Sequence, residues 1–318
     1  MAYDPTGDVM LAPGGNVGGV LNKQTSVRKN DFWYVPSAAF PSFRAGYALV
    51  YDPFRKALML DGGDETFGAN TPQGAPLYWN VVSEVWEAAP SGGFNGKRCS
   101  HSLVWDRDRN VVLMIGGLPS LDGNTLDPEY FKMHEWDGTS WKTIEAQNPA
   151  TKRGWDGSKW PPINASNGVR REMIVVYDQA RKRVVLFGGA DTKYTTSFDD
   201  TWEYDPAVQG WAEVNVVPKA LNDRPIAAYD EARKRSVVLT NKARETWLWD
   251  GTSWAHALPR TTEHPEAEGS AAAYDAVRKQ VVTFGGSVNG VASDETWLWD
   301  GGDWKKAEGL APPPGPTT

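Results

Sequence analysis

The sequence predicts an all-β chain built from six tandem copies of one four-stranded antiparallel unit. Three observations carry that prediction. An aromatic residue followed by Asp recurs at Tyr3-Asp4, Tyr51-Asp52, Trp105-Asp106, Tyr177-Asp178, Tyr229-Asp230 and Tyr274-Asp275, and successive aspartates lie 48, 54, 72, 52 and 45 residues apart. An apolar run ending in a glycine pair follows five of the six, at Gly14-Gly15, Gly62-Gly63, Gly116-Gly117, Gly188-Gly189 and Gly285-Gly286. Tryptophans come after these runs in every unit, and the chain holds 16 of them. Self-similarity at a fixed period of about 50 residues is the signature of a repeat architecture, whose units bury their faces against one another.

Each unit reads as four short strands. The first is a run of small or apolar residues, such as 45–51 or 271–274. A tight turn of the form Asp-x-x-Arg follows, at Asp52/Arg55, Asp106/Arg109, Asp178/Arg181, Asp230/Arg233 and Asp275/Arg278. Asp favours such a turn through hydrogen bonds to nearby backbone, and an exposed Asp–Arg pair across it is expected to add little. The second strand is the Val/Leu/Met run, and its glycine pair permits positive φ and close backbone approach. The third strand is expected to carry Trp33, Trp79, Trp202, Trp247 and Trp297, and the fourth Trp86, Trp141, Trp211, Trp254 and Trp304. Large aromatics there suit the widening wedge between neighbouring units. Three units depart from the pattern: the fifth has Thr240-Asn241 instead of glycines, the third has His134 for its first Trp, and the first has Phe40 for its second.

An apolar strand, Gly-Gly, a variable loop, a Trp and a second Trp about seven residues on resembles the kelch repeat. The resemblance covers nearly the whole chain. It implies one all-β domain over 1–308, a six-bladed kelch-type β-propeller with four antiparallel strands per blade, and a Pro-rich tail at 309–318. The blades fall at about 1–40, 41–90, 91–145, 146–216, 217–259 and 260–308. Only three residues precede Asp4, so the first inner strand is expected to be short, and how the ring closes stays open. The resemblance also implies that the loops joining fourth to first and second to third strands share one face around the central channel, the face that carries function. They are long here: 16–30, 64–76, 118–130, 190–198 and, longest, 146–169. Long loops on a rigid scaffold are where sites concentrate. The opposite face, with its tight turns, reads as structural.

Composition excludes several classes. With 33 Lys and Arg against 40 Asp and Glu the net charge is −7, which argues against nucleic-acid binding. One cysteine, Cys99, allows no intrachain disulfide, and four scattered histidines offer no zinc-ligand spacing. No metal site and no cofactor are expected. No apolar run is long enough to span a bilayer, and residues 1–5 do not open a signal segment. The expectation is a cytoplasmic protein, or an exported one whose leader has been removed. Calcium loops, phosphate loops, a serine nucleophile elbow and a sialidase-type Asp box are absent.

Three groups of residues are candidates for a site. Arg44, Arg98 and Arg170 each stand eight residues before the turn Asp, Arg171 and Arg224 lie near that register, and Glu268 stands there in the sixth unit. Guanidinium groups converging on the channel mouth suit a carboxylate, sulfate or phosphate; the alternative is that they brace the blades. His101 and Tyr47 share a register three residues beyond Arg98 and Arg44. With Glu172 they are the candidate acid/base set, against the reading that His101 bonds within its blade. Trp155 and Trp160 lie in the longest loop, outside the repeat pattern, and suit stacking on a sugar or a partner side chain; they also echo the Trp-Asp-Gly turn at 136–141.

Two functions follow. The resemblance implies a binding module whose loop-rich face takes a protein or peptide, the arginines favouring an acidic segment or anionic ligand. The alternative is a single-domain propeller enzyme using acid/base chemistry at the channel mouth on a small anionic or carbohydrate substrate.

Overall fold

The computed structural model describes residues 1–17, 20–37, 44–64, 75–89, 98–118, 132–144, 164–165, 168–191, 197–198, 200–214, 225–240, 245–258, 269–288 and 291–307. Blade 1 comprises β1 (Ala2–Asp4), β2 (Val9–Val17), β3 (Val20–Lys29) and β4 (Phe32–Tyr34). Blade 2 comprises β5 (Ala45–Asp52), β6 (Ala57–Asp64), β7 (Leu77–Asn80) and β8 (Val85–Ala88). Blade 3 has β9 (Ser102–Asp106), β10 (Val111–Ile115), β11 (Met133–Trp136) and β12 (Trp141–Ile144). A small hairpin, β13 (Asn164–Ala165) and β14 (Gly168–Val169), precedes blade 4: β15 (Ile174–Asp178), β16 (Arg183–Phe187), β17 (Thr201–Asp205) and β18 (Gly210–Val214). Blade 5 has β19 (Ile226–Asp230), β20 (Arg235–Leu239), β21 (Thr246–Trp249) and β22 (Trp254–Ala257). Blade 6 has β23 (Ala271–Asp275) and β24 (Gln280–Phe284), the hairpin β25 (Ser287–Val288) and β26 (Val291–Ala292), then β27 (Thr296–Trp299) and β28 (Trp304–Lys306).

Six antiparallel four-stranded sheets result, each formed from one contiguous stretch of chain. Inner strands β1, β5, β9, β15, β19 and β23 each meet the next, and β23 meets β1. The chain is therefore an all-β, six-bladed β-propeller, and among the described residues no strand is exchanged between its first and last blades.

The second strands explain the apolar runs. Val111–Ile115 is buried throughout, because a blade packs between two others and its strands are covered on both faces. Val112 and Met114 join a cluster with Met59 and Tyr78 of blade 2, while Leu113 and Ile115 join one with Val184 and Leu186 of blade 4. The glycine pairs of blades 2, 3, 4 and 6 have positive φ at both positions.

Each seam between blades is stitched by the repeat's own signature residues. Fourth-strand tryptophans donate to the preceding blade: Trp86 Nε1 to Thr25 Oγ1 at 2.8 Å, Trp254 Nε1 to Thr201 Oγ1 at 3.3 Å and Trp304 Nε1 to Thr246 Oγ1 at 2.9 Å. The tyrosines before the turn aspartates also reach back. Tyr177 donates to Asp108 and Tyr229 to Asp178, both at 2.7 Å.

Several expectations are corrected. Trp33 lies on β4, the fourth strand, and donates to Thr296 Oγ1 of blade 6 at 2.9 Å. It is thus blade 1's counterpart of Trp86 and Trp304, and Phe40 lies outside the described residues. Residues 16–17 and 20–29 are strand rather than loop: β2 and β3 pair from Val9/Lys29 to Val17/Val20, with an irregularity between Pro13 and Gly15. The hairpin holds that stretch extended because Gly14-Gly15 sits within β2 rather than at its end. The turn aspartates are not exposed partners. Asp52, Asp106 and Asp230 are fully buried and face Arg55, Arg109 and Arg233 at 3.3, 2.7 and 2.8 Å. Each also accepts the backbone N–H three residues on. Burial occurs because the next blade covers the turn: Trp136 Nε1 of blade 3 donates to Asp52 at 3.1 Å.

On the same face the turns joining third and fourth strands are capped by aspartates. In blade 5, Asp250 accepts backbone N–H groups from Ser253 and Thr252, each at 2.8 Å. The Ser253 N–H is the largest influence holding its carboxyl down to about 2. Because the folded-state value lies below the ordinary one, this contribution is complete above about pH 5 and is lost as pH falls towards 2. Asp250→Asn, which keeps an acceptor but cannot titrate there, is expected to flatten the acid limb of stability. Urea midpoints measured between neutral and acid pH for both proteins check this.

Candidate functional site

The predicted arginines occupy one structural position. Arg44, Arg98 and Arg170 are buried, and each Nη1 donates to the carbonyl of the first glycine of its own blade's pair: Gly62 at 3.3 Å, Gly116 at 2.8 Å and Gly188 at 3.0 Å. Each also reaches the start of the third strand. Arg44 donates to Ala75 O at 3.2 Å. Arg98 Nη2 meets His134 Nε2 at 2.7 Å, and since a guanidinium only donates, that nitrogen carries the lone pair. Arg170 makes a two-pronged pair with Asp200 at 2.6 and 2.7 Å and lies over the Phe198 ring. His134 thus stands where it can accept from Arg98, which accounts for its replacing a Trp.

Arg171 points elsewhere and donates to Glu172 at 3.2 Å. Glu172 is exposed, has φ 54° and donates its N–H to Ser100 O, while Ser100 N–H donates to Gly46 O. A backbone chain therefore links blades 2, 3 and 4 at the loop end of the channel. Arg224, Glu268, Trp155 and Trp160 lie outside the described residues.

Tyr47 and His101 sit in successive seams. Tyr47 donates to Pro13 O and Gly14 O of blade 1, and burial pushes its phenol well above the ordinary range. His101 lies over Gly62 of blade 2, with Nε2 3.3 Å from Asp61 Oδ1. Met173 takes the same position over Gly116 of blade 3. The position thus covers the preceding blade's glycine turn whatever residue fills it, and Tyr47 and His101 meet around Gly62, which pairs with Tyr47 in the sheet and lies under the His101 ring.

The opposite end of the channel holds a cavity of about 190 Å³. All six inner strands line it, and Arg107, Gln179 and Glu231, the first residues of three hairpins, stand at its end. Arg107 Nη1 lies 2.6 Å from Glu231 Oε1, and the guanidinium covers the Trp105 ring at 4.7 Å. Desolvation raises the Glu231 carboxyl against the pull of Arg107. Sequence reading passed over this pair. The signal was there: Pro5, Pro53, Arg107, Gln179, Glu231 and Ala276 occupy one repeat position, and only two are charged, with opposite sign. Among the described residues, no group of three or more His, Cys, Asp or Glu could hold a metal ion, and no helix is long and apolar enough to cross a membrane.

In comparisons with known proteins, no family model and no curated protein matches this chain.

Proposed function

We propose that this propeller is a kelch-type binding module whose loop-rich face takes an acidic peptide or another anionic ligand. The observation that carries the reading is that each acid/base candidate is already engaged by a neighbouring group. General acid/base catalysis needs its groups within hydrogen-bond reach of one reacting centre. Tyr47 is engaged between blades 1 and 2, His101 faces Asp61 between blades 2 and 3, and Glu172 pairs with Arg171. Arg44, Arg98 and Arg170 keep the blade entrances in shape, which leaves Arg171 and the 146–169 loop with Trp155 and Trp160 as the ligand-facing candidates.

A fluorescent oligoglutamate peptide, titrated by anisotropy beside sulfate, phosphate and sugar acids, tests this. Salt-sensitive binding that weakens about tenfold in Arg171→Ala and in Trp155→Ala is expected. Absence of binding to every probe overturns the anionic-ligand reading. Turnover of a sugar acid that disappears in His101→Ala replaces it with the enzymatic one.

A further inference from the structure

The Arg107–Glu231 pair is the one described ion pair that joins blades which are not neighbours; the other pairs between blades link adjacent ones. It passes blade 4, where the same position is Gln179. The two side chains are about a quarter to a third exposed, at 31% and 23%, and they face the channel cavity rather than a packed seam. The cavity wall is uneven. At matching positions blades 2 and 3 supply Leu49, Val50, Leu103 and Val104, whereas blades 5 and 6 supply only alanines, at 227, 228, 272 and 273. Small side chains therefore leave the free volume on the Glu231 side.

We propose that the hairpin end of the channel is a binding site for a small zwitterionic α-amino acid with an apolar side chain. Its carboxylate takes the Arg107 fork, its ammonium takes the Glu231 carboxylate, and its side chain enters the alanine-lined space. Charge balance supplies the selectivity. A ligand with one charge pairs with one member and leaves the other uncompensated in an apolar-walled channel, which is strongly unfavourable. A zwitterion replaces both halves of the pair at once. Guanidinium and carboxylate match in planar, two-pronged geometry. The volume of about 190 Å³ equals roughly six waters at liquid density. That suits a small amino acid and lies below the range of about 300–1,000 Å³ usual for larger ligands. The proposal is independent of the loop-face reading, since the two sites occupy opposite ends of the channel.

Calorimetric titration of the full chain with leucine, isoamylamine and 4-methylpentanoate tests it. Saturable binding of leucine, with the two single-charge analogues at least about tenfold weaker, is expected. Arg107→Met and Glu231→Gln should each weaken leucine about tenfold or more, and the exchange Arg107→Glu with Glu231→Arg should recover part of the loss. Ala227→Leu fills the cavity without touching either charge and should also abolish binding while the melting temperature is kept. Analogues that bind as well as leucine, or leucine binding that is unchanged in Ala227→Leu, overturn the proposal. So does a pair whose removal lowers the melting temperature in a wild-type background that responds to none of these amino-acid probes, for it is then only a strut.

Discussion

Gly62→Ala is expected to destabilise the ring by about 3 kcal/mol, combining the cost of a left-handed alanine, about 1–2 kcal/mol, with that of overpacking, about 1–3 kcal/mol. Gly62 has φ 63°, and a Cβ there would lie 2.2 Å from the Arg98 carbonyl oxygen and 2.6 Å from His101 Cε1. The obstacle is backbone of the next blade, so no side-chain rotation relieves it. The seam would have to open, and with it the 2.8 Å bond from Gly63 N–H to Arg98 O. Gly269→Ala is the internal control. Its φ is 75°, yet among the described residues nothing lies within 4 Å of the added carbon, so only the conformational cost is expected. Denaturant unfolding followed by tryptophan fluorescence compares the two. Equal losses would mean that close approach at the seam is not what the glycine provides.

Arg28→Ala is expected to cost about 2–3 kcal/mol, less than the roughly 3–5 kcal/mol of leaving a buried charge with no partner, because Asp275 keeps Arg278. Arg28 closes the ring. From β3 of blade 1 it donates to Asp275 of blade 6 at 2.9 Å, with the two side chains 3% and 1% exposed. It also pairs with Asp31 at 2.6 Å, and Arg278 reaches Asp31 at 2.6 Å and Asp275 at 3.1 Å. Arg28 stands directly across from Trp33, the place that Trp136 occupies across from Trp141 in blade 3. There the indole N–H of Trp136 serves Asp52. Arg28→Trp should therefore lose much less stability than Arg28→Ala. If both substitutions leave the unfolding midpoint unchanged, closure rests on the Trp33–Phe284 stack at 4.0 Å and the apolar packing around Met10 instead.

The legible parts of the fold were those encoded locally. Tyr177-Asp178 marks an inner-strand end and its turn, Val184–Phe187 a strand covered on both faces, and Trp211 a fourth strand that reaches back. Each needs only its own few residues to be recognised. Blade 1 was misread because its glycine pair sits inside β2, so the spacing rule placed Trp33 one strand early. The site was less legible still. Arg44, Arg98 and Arg170 read alike as anion ligands and as braces, because the sequence says that a guanidinium is present and not which carbonyl it meets. In the fold each meets the first glycine of its own blade. His101 and Tyr47 share a register, but which neighbours engage them, Asp61 for one and the Pro13 carbonyl for the other, depends on the packing of each blade on the one before.

By itself the sequence determined the repeat, the four strands per unit and the six-bladed ring, because turn chemistry, strand patterning and period are properties of short stretches. The tertiary structure decided which charges meet. Arg28 and Asp275 are 247 positions apart, and Arg107 and Glu231 face one another only because a closed ring brings blades 3 and 5 to the same channel. Such pairings depend on the angle at which each blade packs on the next, and that angle is set by side-chain volume summed over every seam.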